Sequence, residues 1–229
     1  MQKLRSPRLS ARLGVACVTL VIANVAFAGP RERPKGALAP SSAYAAFVMS
    51  KIATAAGLDG APEIFRAPVV AAHAVFVDGR EAVVYNPGFL DTINDRAGTP
   101  WAAVSVIAHE LGHHFYGHSH EPVESLPPNV LHEHELEADY FSGFVLERMG
   151  ASLDDAEAAQ EAFFMKKGTA THPSSDRRLA AISAGWKDAA NDVSPVADPA
   201  ARLASIPDSK IAPNSNGIRR GAVFPSGPW

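Results

Sequence analysis

The sequence predicts an α+β fold, a mainly helical lobe behind a small antiparallel sheet, and three observations predict it. β-branched and aromatic residues cluster between Glu63 and Tyr85, and Asp78-Gly79 falls between two such runs as a hairpin turn signal. Helix-start signals then recur at Thr99-Pro100, Pro127-Pro128 and Ser152-Leu153-Asp154-Asp155, each ahead of apolar residues at helical spacing. No self-similarity at a period of about 30 to 50 residues occurs, so the lobe is not a helical-repeat array.

Taken in order, residues 1–28 read as a secretory signal peptide. Lys3, Arg5, Arg8 and Arg12 precede an apolar run that closes in Ala26-Phe27-Ala28. That run is too short to span a bilayer, and nothing later approaches the roughly 20 apolar residues a transmembrane helix needs. A cleaved product is therefore expected in the periplasm or outside the cell, with no membrane span. The one cysteine, Cys17, lies in this leader, and Gly14 stands where a lipoprotein signal would want leucine. The mature chain is expected to lack thiols, which excludes disulfides, thiolate catalysis and cysteine-held metals. The leader takes four of the 21 basic residues and none of the 24 acidic ones, leaving a charge of −7 with neutral histidine. No nucleic-acid-binding surface fits that balance.

Residues 29–40, rich in Pro, Gly and charge, are expected to form a flexible stem, and 41–189 one folded domain. Ser41 is placed to cap a helix over 41–56 that Gly57 ends. After the hairpin, Asn86-Pro87-Gly88 breaks the strand, and 89–93 reads as a short helix or loop. Helices are expected over 101–116, from Asn129 as cap to Gly150, from Ser152 to near Gly168, and over 175–186. The tail 190–229 carries Pro195, Pro199, Pro207, Pro213, Pro225 and Pro228 without sustained periodicity and is read as largely disordered.

His109-Glu110-Leu111-Gly112-His113 matches the pattern HExxH. On a helix this sets two imidazoles one turn apart on one face, as a tetrahedral ion requires, with a glutamate beside them. Val104, Ile107, Leu111 and Phe115 fall on the opposite side, so the helix is expected to bury its back and present the histidines on a front of small residues, where Gly112 removes bulk. A catalytic zinc wants a third protein ligand and one open position. The continuation with a third histidine six places after His113 fails, because Ser119 stands there and His120 is one place late, about 100 degrees of helical misdirection.

The better source is the second long helix. There Glu135 shares a face with Ala138, Asp139, Ser142 and Val145, while Glu133, Glu137 and Glu147 gather opposite as an ordinary charged face. Buried carboxylates are costly unless paired or metal-bound, which favours Glu135 as ligand and Asp139 as the acceptor that orients a ligating imidazole.

His109-Glu110-x-x-His113, then Glu135-x-x-Ala138-Asp139, then Thr171-His172-Pro173 and Arg178 together resemble the gluzincin peptidases of the HtpX, BepA and CAAX prenyl protease type, over roughly residues 101–186. The resemblance implies a zincin-like fold, one Zn2+ per chain on His109, His113 and Glu135, and places for His172 and Arg178 near bound substrate. The family's flanking membrane helices and the helical repeats of some periplasmic members are missing here. Taken alone, His172 before a proline reads as a turn residue and Arg178 as a helix-surface charge. His172 has two functional readings, donor to a developing oxyanion or occupant of the open metal position. His114, His118, His120, His132 and His134 read as solvated or packing residues.

The expected chemistry is zinc-dependent hydrolysis of a protein or peptide substrate. The ion lowers the pKa of its water to about 7, and Glu110 takes the water proton and passes it to the leaving amine. The strand over 81–85 is placed as the sheet edge above the cleft, where an extended peptide could add as a further strand. Rival readings are a zinc-bound chaperone or binding module with little hydrolysis, and a soluble enzyme acting on a small amide or peptidoglycan peptide.

Overall fold

The computed structural model describes residues 38–163, 167–194, 199–204 and 224–229. The expected leader, most of the expected stem and most of the expected disordered tail lie outside them. Among the described residues, four strands and seven α-helices follow in the order β1 (Ala39–Pro40), α1 (Ala43–Ala56), β2 (Glu63–Arg66), β3 (Ala72–Val77), β4 (Arg80–Tyr85), α2 (Pro87–Ala97), α3 (Trp101–Phe115), α4 (Pro128–Arg148), α5 (Leu153–Phe163), α6 (Ser175–Ala190) and α7 (Pro199–Ala204). The α+β class holds. None of these helices is long and apolar enough to cross a membrane.

The sheet is mixed rather than antiparallel. Its order is β1-β2-β4-β3, with β2 parallel to β4 and the other pairs antiparallel. The β3–β4 hairpin turns through Asp78 and Gly79 at φ 52° and 76°, the left-handed pair that a two-residue turn demands. The chain between β2 and β3 then leaves β2 on the far side of β4. Consequently 81–85 is interior, not the edge: Ala82 to Tyr85 are all fully buried, as suits a strand covered on both faces. The edge toward the helices is β3. Alternate residues divide the sheet's two faces, Ile64, Ala72, Val83 and Tyr85 joining the main helical core, and Val75, Val77, Ala82 and Val84 a smaller cluster behind.

Several boundaries depart from the sequence reading for local reasons. Ser42 rather than Ser41 caps α1, its hydroxyl accepting from Ala45 N at 3.0 Å. Asn86 both ends β4 and caps α2, where Pro87 takes the first turn, so the expected short piece is a helix of 11 residues. Asn129 lies inside the first turn of α4 behind Pro127, and α6 runs a turn past Trp186. The end of the stem, Ala39–Pro40, is a strand. The tail is not wholly without structure either. Leu203 of α7 packs on Leu136, Tyr140 and Ala181, while Phe224 and Trp229 enter the main core, Phe224 against Trp101 and Trp229 edge-on to Tyr44. Apolar burial of aromatic groups offsets chain ordering there, which the proline count conceals.

Helix α3 runs through the middle and is buried almost all round, not on its back alone. Val106 and His109 are partly exposed along its length, with Phe115 at its end. Two close helix approaches place its neighbours. A Cβ on Gly112 would press on Ala138 at 3.0 Å, so this glycine admits α4 rather than clearing space for an ion. On α4 and α6, a Cβ on Gly143 would collide with the Ile182 backbone, and one on Gly185 with the Tyr140 backbone. Overpacking against backbone cannot relax by a rotamer change, so Gly143→Ala is expected to cost about 1–3 kcal/mol. Denaturant unfolding measures this, and an unchanged midpoint would contradict so tight a contact.

Candidate metal centre

The HExxH segment forms the C-terminal half of α3 and brings His109 and His113 to one side. The Gly112–Ala138 approach carries α4 close enough for Glu135, one turn earlier, to meet them. His109 Nε2 and His113 Nε2 lie 3.2 Å apart, Glu135 Oε2 is 3.5 Å from the first, and Glu135 Oε1 is 3.7 Å from the second. Bonds of about 2.0–2.1 Å to a tetrahedral ion put ligand atoms roughly 3.4 Å apart, so all three separations suit one small cation. Among the described residues, this trio forms a cluster that could hold a metal ion.

Proton placement strengthens the fit. Asp139 Oδ1 lies 2.9 Å from His109 Nδ1, which seats the proton there and turns the Nε2 lone pair toward the cluster. Lone pairs facing each other and a carboxylate need a cation or a proton between them. For His109, burial alone lowers the pKa, but hydrogen bonds to Asp139 and Glu135 and the charges of both outweigh it, raising it from 6.5 to about 9. Burial pushes Glu135 the other way, yet the bond to His109 and the charges of His109, His172 and Arg178 hold it well below the usual carboxylate range. The partly buried carboxylate is thus held in its ionised form.

The remaining expected residues gather around this trio. Glu110 is 9% exposed and accepts from the Ala74 amide of β3 at 2.8 Å, so it stands between the cluster and the sheet edge. Asp139, 3% exposed, receives a fork from Arg178: Nε to Oδ2 at 2.7 Å and Nη2 to Oδ1 at 2.8 Å. Arg178 is itself buried and lies 3.6 Å from Glu135. It is no surface charge, and two of its donor nitrogens are committed to Asp139 rather than offered to substrate.

His172 is presented by a loop tied at Thr169, whose hydroxyl accepts from the His172 amide at 3.0 Å. Its Nε2 is 3.8 Å from Glu135 Oε2, beside the cluster but not among its three donors.

A cavity of about 100 Å³ opens over these groups, bounded by Ala72 and His73 of β3, Val106 of α3, Phe89, Gln160 and Ile182. Its wall includes the β3 edge, with which no further strand pairs among the described residues. The sequence reading missed the Ala74 amide, since backbone donors have no residue signature. It also missed His118 and Glu137, which meet at 2.7 Å beside His113.

Loading the trio with a divalent cation must expel the proton that His109 holds up to about pH 9. Near pH 7 about one proton should leave per ion, and apparent affinity should rise with pH until about 9. Calorimetric titration of metal into stripped protein, in buffers of different ionisation enthalpy, reads this directly; no proton release at pH 7 would contradict it. In the metal-free protein the raised pKa stabilises the fold fully below about 6.5, and that contribution is lost as pH rises through about 9.

Comparison with protein-family models, with curated proteins and with solved structures finds no match to this chain.

Proposed function

We propose that the chain is a zinc-dependent endopeptidase of the gluzincin kind, exported by its leader, with His109, His113 and Glu135 as the ligands. The single observation that carries the reading is the convergence of two imidazole lone pairs and one ionised carboxylate, with Glu110 between them and a sheet edge that faces a cavity. A zinc ion held there supplies Lewis acidity, acidifying a water and polarising a carbonyl.

The protein's own groups divide the remaining work. The β3 edge binds an extended peptide through main-chain hydrogen bonds, which lays its carbonyls along the cavity beside Glu110. This replaces the strand over 81–85, which β2 and β3 cover on both sides. Glu110 accepts a proton from water at its carboxylate and hands it to the departing amine. Asp139 keeps His109 in the ligating tautomer, and Arg178 neutralises the buried Asp139 charge while holding its orientation. His172, on its tied loop beside Glu135, supplies a hydrogen bond to charge that develops on the carbonyl oxygen. A protein or peptide is the substrate class, since the edge reads backbone rather than a particular side chain.

Glu110→Gln keeps size and metal ligands but loses the proton acceptor. Bound zinc should stay near one per chain while cleavage of a peptide library falls about 10²- to 10⁴-fold. Unchanged turnover would remove Glu110 from the chemistry, and zinc binding without any cleavage by the unsubstituted protein would favour a binding module. His172→Ala should lower kcat with little change in KM. A faster enzyme would instead assign His172 to occlusion of the metal.

A further inference from the structure

The two imidazoles of the metal cluster are supported unequally at first sight. His109 is oriented by a carboxylate directly, whereas the outer nitrogen of His113 faces a second imidazole. That nitrogen, Nδ1, meets His118 Nδ1 at 3.2 Å, and His118 Nε2 meets Glu137 Oε2 at 2.7 Å. We infer that His118 and Glu137 form a relay that positions His113 as a metal ligand, the counterpart of Asp139 behind His109. The inference rests on the metal-site reading above.

Local structure explains how the contact arises. Helix α3 ends at Phe115, and Gly117 takes the left-handed conformation at φ 78°, which folds the chain back into a one-turn helix at His118–His120. His118 thereby returns against the helix it has just left. Its ring is 4% exposed and lies between two others, parallel to His134 at 3.9 Å and 10°, and near-parallel to Tyr116 at 5.8 Å and 28°. The plane of the ring is fixed by these neighbours, as a positioning group requires.

Hydrogen-bond polarity runs one way along the chain of groups. The Glu137 carboxylate only accepts, so His118 carries its proton on Nε2 and donates it there. In the neutral ring Nδ1 of His118 is then a lone pair, which accepts from His113 Nδ1–H. With its proton on Nδ1, His113 turns the Nε2 lone pair toward His109 and Glu135. Each ligand histidine thus has a carboxylate at the end of its support, one in contact and one through a second imidazole. Glu137, on the face of α4 that the pattern assigns to solvent, is drawn in by this bond.

The test is zinc affinity of the metal-stripped full chain, by competition with a chromophoric chelator, together with the visible spectrum of the cobalt(II)-loaded protein. Loss of a partner behind a ligand typically weakens metal binding about 10- to 100-fold, and His118→Leu should do so and alter the cobalt bands. His118→Asn, whose amide oxygen can accept from His113, should restore most of the affinity and the native bands. Glu137→Ala should weaken binding alone but add nothing on top of His118→Leu, because it acts through that ring.

Native affinity in His118→Leu overturns the relay. So does a loss that Asn fails to restore, or losses in the double variant that add. Should His118→Leu not fold, the Asn and Glu137→Ala variants still decide, since native affinity in Glu137→Ala is itself contrary. A parent chain that binds no zinc overturns the metal reading and the relay together, whereas a zinc-binding parent whose variants keep native affinity overturns the relay alone.

Discussion

The carboxylate of Asp139 is the point on which the arrangement turns. It is buried on α4, accepts from His109 of α3, and is gripped through both oxygens by Arg178 of α6. A lone charge so placed would be costly, and the fork from Arg178 offsets that cost while spending the arginine's own charge. Because the partners lie on three different helices, the pair does more than compensate charge. It ties the rotation of each helix about its axis to the others, so His109 on α3 and Glu135 on α4 meet at fixed angles. Breaking one side would leave a buried unpaired ion, the circumstance in which such pairs matter most.

That polar node is possible only where the helices come close. Gly112 lets Ala138 approach α3, and Gly143 and Gly185 let α4 and α6 cross nearly in contact. Side chains as short as aspartate can then bridge helices without a water between. Helix α3 is consequently enclosed by α4, by α5 and by the sheet, and opens to solvent at the cavity mouth through Val106 and His109. A cation in such a place would meet few competing waters, and the carboxylate and imidazoles would act on it more strongly than on a surface.

The sheet contributes in a different way. Its edge strand β3 presents main-chain groups to the cavity, and the first of them in reach, the Ala74 amide, already binds Glu110. The catalytic candidate is thereby anchored to the element that would hold a peptide. Glu110, the candidate metal-binding trio and the backbone edge thus share one rigid frame, in which each part is fixed by packing rather than by loops. His172 is the exception, carried on a loop whose internal bonds to Thr169 replace helical support.

Periodicity and short-range chemistry in the chain were enough to determine several features. Two histidines four apart on a helix must share a face, the Asp78-Gly79 turn must reverse a hairpin, and Glu135 and Asp139 must point the same way from α4. Those are consequences of fixed rise and twist, which any window of residues carries. Tertiary contacts decided the rest. Strand order depended on where β2 docked, so 81–85 became the covered strand and β3 the edge. Arg178 became a buried partner of Asp139, and Glu137 a partner of His118, because distant elements arrived beside them. Phe224 and Trp229 found a core that the surrounding prolines give no reason to expect. Local spacing sets which way a side chain points, and only the folded chain determines what it meets there.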